Sequence, residues 1–450
     1  MTEPVDLPAL AENLLDVAKR AGADAADVIV VDAASTSVGV RAGQLEEAER
    51  AESLEYGLRV LVGPRQAIVS ASDQRVATLA EVAERAVAMA RLAPEDASLG
   101  LADTASLSAV RDASALDLVD PDPDPTAAEL EEIARIAESH ALAVEGVSQV
   151  QSASVGVMRK HVFLAASNGF VGSYSRSSHG LSAVAIAGEG LGMERDYFGE
   201  SRIHRHDLPS AEEVGRMAGE RAVERLGSRK PPTGAFPVLY DERVASSLVG
   251  HLLAAVNGTA ISRGASWLRG SMGAEVLPSG MSVLEEPARP RIAGSRPFDG
   301  EGLPCIGGPI VDDGVLTRWL LDLGTARKLG LASTGNAARG VGGPPSPSPS
   351  NIALTPGRFS REDLIAQMGT GLFVTSMIGA SINPNTGDYS RGASGFWVEN
   401  GEITHPVSEC TIAGNLNGML KSLIAANDGR AHLSRVVPSL LVEGLTIAGA

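Results

Sequence analysis

The chain has 450 residues, 44% of them hydrophobic and 21% charged, enough for two or three globular units that each bury a core. Its 38 basic and 55 acidic residues leave a net charge of -17; with no basic stripe and few aromatic residues to stack on bases, a nucleic-acid partner is excluded. No window approaches the roughly 20 unbroken apolar residues of a membrane span, and the start MTEPVDLPALAENLLDVAKR lacks the basic-then-apolar order of a signal peptide, so a cytoplasmic protein with no membrane partner is expected.

In chain order, the first unit opens with a helix bearing Leu7, Leu14, Leu15 and Ala18 on one side, followed by the apolar run Val28 to Val31. Leu54, Tyr56, Leu58, Val60 and Val62 alternate as a strand with one buried face should, and Pro64 ends it. A strand at Ala67 to Ser70 leads to a helix over Val76 to Leu92, whose Leu79, Val82, Ala83 and Ala86 share a stripe. The acid-proline alternation DLVDPDPDP, Asp117 to Pro125, predicts an extended, solvated boundary segment. Thr126 with Glu129 then makes a capping-box pattern for a helix carrying Leu130, Ile133, Ala134, Ala137 and Ala141. Asn168-Gly169 between Phe163 to Ser167 and Phe170 to Tyr174 is a hairpin signal. Ser210 with Glu213 opens another helix, and SRKPPTG, Ser228 to Gly234, marks a second boundary.

From Phe236 onward the chain is richer in glycine and short strand-like runs. Helices are expected over Glu242 to about Val256, capped by Asp241, over Ser360 to Met368, and over Leu416 to Ala426. The expected class is α+β: an N-terminal α/β layer domain (1–116), a central part of helices and meander (117–229), and a β-rich C-terminal domain with a few helices (234–450).

Chemistry-bearing residues are sparse. The two cysteines, Cys305 and Cys410, are too few for a disulfide framework and have no C-x-x-C spacing for zinc or redox work. Among the eight histidines only His204 and His206 are neighbours; a metal site there is conceivable, but the run lacks a glutamate-bearing helix and reads as surface. No G-x-S-x-G elbow is present, and Ser394 in GASGF reads as a structural turn. The helix DERVASSLVGHLLAAVNG carries one histidine, His251, with Ser247 and Ala255 one turn either side, where a metallopeptidase helix needs two imidazoles and a carboxylate.

The segment TGDYSRGASGFWVENGEITHPVSECTIAGNLNGML, Thr386 to Leu420, resembles the C-terminal signature of the TldD/PmbA family, in its PmbA branch, also called TldE. Collinear matches are VRAGQLEEAE (Val40 to Glu49), MERDY (Met193 to Tyr197), SRGASWL (Ser262 to Leu268), STGNAARG (Ser333 to Gly340) and PSPSN (Pro347 to Asn351), so the likeness spans nearly the whole chain. The resemblance implies a heterodimer of related subunits enclosing a chamber for unfolded peptide, with zinc held by the TldD-type partner through a His-Glu-x-x-x-His motif and a cysteine. Anchored on SRGASWLRGSMG, the partner's histidines fall here at Val249 and Ala254 and its glutamate at Gly250. No catalytic, cofactor or metal role is therefore carried onto this chain.

Candidate chamber or peptide contacts are His251, Asn257, Arg263, Asn336, Arg339, Asn351 and Arg391. The loop Ser333 to Asn351 is read either as a chamber wall or as a partner-interface or merely structural loop, and Arg263 and Arg391 either as carboxylate clamps or as interface ion pairs. Other functions stay open: a stand-alone regulatory protein of the gyrase-modulator type, a homodimer with a role of its own, or a subunit of a complex hydrolysing amides in natural-product pathways.

Overall fold

A computed structural model describes residues 6–449; the first five residues of the N-terminal segment read above lie outside them. Helix α1 (Leu7–Ala21) starts where the Asp6 carboxylate accepts the Ala9 amide and stops at Gly22, whose φ of 98° is the left-handed conformation of a helix C-cap. Strands β1 (Ala25–Arg41), β2 (Gln44–Val62) and β3 (Arg65–Ala71) form a meander, followed by α2 (Val76–Leu92). The second group is α3 (Ala127–Leu142), β4 (Val147–Ala166), β5 (Val171–Ala187), β6 (Glu194–Arg202) and α4 (Ala211–Glu224).

These strands make one antiparallel sheet of order β3-β2-β1-β4-β5-β6, because β1 pairs with β4 along nearly its whole length. Period-two alternation divides the faces. Val28 and Val30 on β1 meet Leu14 and Leu79 of the first helix pair, while Val38 and Val40 further along the same face meet Leu130 and Ala134 of α3. The helix pairs therefore lie side by side on one face. The other face presents Ile29, Val162 and Leu164 to Phe298 and Val341 of the C-terminal domain.

The C-terminal domain begins with β7 (Gly234–Tyr240), α5 (Glu242–Ala255) and α6 (Gly258–Arg263). Short strands β8 (Val283–Glu285), β9 (Gly308–Asp312), β10 (Val315–Leu316), β13 (Ile352–Leu354) and β18 (Arg435–Val436) form a small sheet, with α7 (Leu323–Leu329), β11 (Ala337–Ala338) and β12 (Ser346–Pro347) inserted. After α8 (Arg361–Met368) come β14 (Gly371–Ile382), β15 (Asp388–Glu399), β16 (Glu402–Asn415), α9 (Leu416–Lys421), β17 (Ile424–Ala425) and β19 (Leu440–Ala448). Because β16 pairs with both β15 and β19, and β19 with β7, five strands close into a barrel. Tyr240, Val374, Tyr389, Trp397, Ile412 and Val442 fill it, and Leu248 and Leu252 of α5 join the same core.

The fold is α+β, as expected, with several local differences. The hairpin at Asn168-Gly169 is present, with Gly169 at φ 91°, but its strands run to 20 and 17 residues. The helix expected to Ala426 ends at Lys421, because Ile424 and Ala425 are taken as a strand by β19. DLVDPDPDP is extended but docked: Leu118 and Asp120 are 2% exposed, and the Arg159 guanidinium donates to the carbonyls of Asp120 and Asp122 and to the Asp124 carboxylate. Ser394 lies within β15, opposite bulges in β14 and β16 and not in a turn, and accepts a 2.9 Å hydrogen bond from Arg225.

Candidate functional site

Helix α5 presents two unlike faces. Ala245, Leu248, Val249, Leu252 and Leu253 are buried in the barrel core, whereas Ser247, Gly250, His251 and Ala254, spaced at three and four residues, form the less buried side. Asp241 caps the helix by accepting the Arg243 amide at 3.0 Å. The His251 ring meets Tyr389 of β15 edge-on, with centroids 5.8 Å apart and an interplanar angle of 74°. Burial, and secondarily the Arg391 guanidinium, hold the imidazole below its ordinary pKa, so it is neutral at pH 7. Tyr240, completely buried at the end of β7, has its hydroxyl pushed well above the usual range by burial and by the neighbouring Tyr389. Arg391 is half-buried and donates through Nε to the Gly379 carbonyl at 2.7 Å.

The groups around His251 are thus neutral and polar, with the cations Arg391 and Arg435 beside them. Among the described residues no three His, Cys, Asp or Glu side chains converge as a metal site would require. At the positions aligned with the zinc motif, Val249 points into the core at 2% exposure, and Gly250 and Ala254 carry no donor atom. A Cβ at Gly250 would lie 3.3 Å from an Arg435 nitrogen. These residues do not fit a zinc ion.

Of the other residues picked from the sequence, Asn257 caps α6, accepting the Thr259 amide at 2.9 Å and donating to the Pro347 carbonyl at 2.8 Å. Arg263 ends α6 and is exposed. Asn336, Arg339 and Asn351 do not face an open chamber. Asn336 donates to the Glu285 carboxylate at 2.8 Å and accepts from Thr334, and Asn351 donates to Ser295 Oγ at 2.7 Å. Glu285, 2% exposed, also receives Ser350 N and Arg318, so the loop Ser333 to Asn351 is wound around one buried carboxylate. Arg339 has a fully buried side chain that pairs with Asp27 of β1, which also holds Arg59 of β2. These contacts join the C-terminal domain to the six-stranded sheet, and beside them a Cβ on Gly57 would lie 2.1 Å from the Val341 carbonyl oxygen.

The histidine pair seen in sequence also separates. His204 is 7% exposed with Nε2 3.2 Å from Asp117, and His206 is exposed, with Nε2 3.0 Å from Asp122. The two cysteines are buried enough to be inert: burial pushes the Cys305 thiol up to about 12 and that of Cys410 up to about 11.

Further along the sheet face that meets the C-terminal domain, strand register aligns two cross-strand rows. One is Ser37, Gly156, Gly180 and Ser201; the other is Gly39, Ser154, Ser182 and Gly199. Above this smooth floor lies a cavity of about 760 Å³, bounded by Glu200 on the sheet and by Arg430 and His432 from the C-terminal domain. No sequence signal marked it, because each row takes one residue from each of the four strands β1, β4, β5 and β6.

Family models agree with this arrangement. Residues 26–90 match PmbA/TldA metallopeptidase domain 1, residues 120–226 the central domain and residues 233–449 the C-terminal domain. Metalloprotease PmbA of Escherichia coli O157:H7 is 36% identical over 433 residues, covering 95% of this chain and 92% of that protein. The chain belongs to the PmbA/TldD metallopeptidase family. A crystal structure from Bacteroides thetaiotaomicron, of a protein provisionally named a modulator of DNA gyrase, superposes with a TM-score of 0.91 at 28% identity, covering 99% of this chain and all of that one. TldE from Thermococcus kodakarensis shares the fold, with a TM-score of 0.81 at 18% identity over 97% of this chain and 99% of that one.

Proposed function

We propose that this chain is the metal-free subunit of a two-chain PmbA/TldD metallopeptidase. It completes a chamber for unfolded peptide or peptide-like amides, and a TldD-type subunit carries the zinc and performs the hydrolysis. The observation that carries this reading is α5: the helix is capped by Asp241 and packed on the barrel core, but offers an aliphatic core residue, a glycine and an alanine at Val249, Gly250 and Ala254. Neither a metal nor a water-activating base can be built from them. The flat serine-glycine floor over the six-stranded sheet suits an extended chain, since no side chain rises from its centre.

Of the polar groups at this end of the barrel, the neutral, partly exposed His251 is the one placed to meet a substrate or partner, with Tyr240 and Tyr389 buried in the barrel behind it. The test is to purify the chain alone, and again after co-expression with a TldD-type subunit, and to assay zinc content and cleavage of an unfolded protein such as casein. The expected result is activity and stoichiometric zinc only in the mixed complex. Tight zinc or cleavage by the isolated chain would overturn the proposal, as would failure to associate with any TldD-type subunit.

A further inference from the structure

The second helix pair does not seal its sheet. Between α3, strands β4 and β5, and the turn leading into α4 lies a cavity of about 280 Å³, at the small end of ligand pockets, which run from about 300 Å³ upward. Its walls are Leu130, Ile133 and Ile136 of α3, Val155 and Leu181 of the sheet, and Leu208 of the turn. Ile133, Ile136 and Leu208 are only partly buried, so the cavity opens to solvent through an aliphatic mouth.

One cation stands at this opening. Arg205 lines the cavity, and its backbone amide is fixed by a 2.7 Å hydrogen bond to the buried Asp120 carboxylate. Its guanidinium has no hydrogen bond or ion pair among the described residues. The carboxylates nearby are otherwise occupied. Asp120 also accepts the Asp122 amide and lies 3.2 Å from His179, Glu129 caps α3 through Thr126, Asp122 pairs with His206, and Asp124 with Arg159. Glu212, on the cavity rim, has its carboxylate held by the start of α4 and by Ser210. His179, 4% exposed, closes the inner end. An aliphatic slot lined by Arg205, whose guanidinium has the electrostatic influence of the capping Glu129 carboxylate but no hydrogen bond or ion pair among the described residues, matches a short hydrocarbon chain ending in a carboxylate, the group a guanidinium binds in bidentate geometry.

We infer that this cavity is a binding site for a small aliphatic carboxylate, the hydrocarbon lying against Leu130, Ile133 and Leu181 and the carboxylate on Arg205. The same chemistry is presented by a free branched-chain acid and by the C-terminal leucine of a peptide. The site stands apart from the barrel and requires neither zinc nor a second subunit.

The experiment is calorimetric titration of the full chain with isocaproate, with isocaproamide, and with N-acetylglycyl-leucine as free acid. Saturable binding of an acid, at least about tenfold tighter than that of the amide, is expected from one charge-assisted pair. The tighter of the two acids identifies the source. Arg205→Gln should weaken the acids by about tenfold or more and leave the amide unchanged, and Arg205→Lys should retain part of the affinity. Ile133→Trp, which fills the mouth, should abolish binding of all three probes while the thermal transition stays cooperative. Absence of saturation by either acid, equal binding of acid and amide, or undiminished acid binding by Arg205→Gln would overturn the inference.

Discussion

Two regions of this molecule handle buried polarity in opposite ways. At the seam between the six-stranded sheet and the C-terminal domain, Asp27, Arg59 and Arg339 are stripped of water as ions and pair with one another, leaving only Arg339 Nε of the trio without a partner. At the end of the barrel, Tyr240, Tyr389 and His251 are kept uncharged. Buried ions that pair across a seam are costly to separate but specify one register of docking. Neutral polar groups beside a half-open helix face constrain less and leave the surface free for another chain or a substrate. The seam therefore reads as structure, the barrel end is where the function proposed above would act, and the substitutions below test that division.

The largest effect is expected at the seam. Replacing Arg339 by alanine removes one of the two cations facing Asp27 and opens a void under Gly57, whose carbonyl the guanidinium also reaches at 3.2 Å. Breaking a buried pair from one side costs about 3–5 kcal/mol. Urea denaturation should show a loss of that order, or two transitions where the native chain has one, as the N-terminal sheet parts from the C-terminal domain. A change below about 1 kcal/mol, the scale of a surface ion pair, would remove the contrast between the regions.

A pH effect of intermediate size comes from the acids behind that pair. Burial pushes Glu301 up to about 8, helped by the nearby Asp299, which is itself raised to about 6. Since the folded chain holds this proton where the unfolded chain has lost it, the folded state binds more protons between pH 4.5 and 8. Stability is then full below that window and falls as pH rises through it. Glu301→Gln keeps an acceptor for the Leu323 amide, which Glu301 receives at 2.8 Å, and removes the titration. The variant should melt at nearly the same temperature as the native chain at pH 5 and distinctly higher at pH 8, by an amount on the order of a few kcal/mol in stability. Parallel melting curves across that range would mean that Glu301 is solvated and the seam wetter than it looks.

How much of this was legible beforehand follows the range of each interaction. Thr126 with Glu129 and Ser360 with Asp363 close capping boxes three residues apart, and both were readable because donor and acceptor sit in one turn. Val28 to Val31 was readable as apolar, but the rest of β1, through Ser35 to Ser37, carries small polar residues that make a strand only because β2 and β4 pair on both sides. Asn336, Arg339 and Asn351 were picked out as polar groups in a glycine-rich loop, which looks the same in sequence whether it faces solvent or a buried carboxylate. Their partners Glu285, Asp27 and Ser295 lie 51, 312 and 56 residues away. His251 could be placed correctly on its helix because helical spacing is local. Tyr389, the group it meets, is 138 residues later and reaches it only through barrel closure.

The smallest effect is expected at His251. The ring contributes an edge-on aromatic contact of about 0.5–1.5 kcal/mol, and burial holds its folded pKa below the ordinary imidazole value of 6.5. The unfolded chain thus binds more protons near and below that pH, so this histidine's share of stability is present above about pH 6.5 and is lost as the solution is acidified. His251→Phe keeps the ring contact with Tyr389 and cannot be protonated. It should leave stability at pH 7.5 within about 1 kcal/mol and reduce the loss on going to pH 5.5. If the barrel end is a surface for function, the same substitution should alter peptide cleavage by the complex with a TldD-type subunit more than it alters folding. A change in stability with no change in cleavage would instead assign His251 to the core, on the same footing as Leu248 and Leu252 on the buried side of its helix.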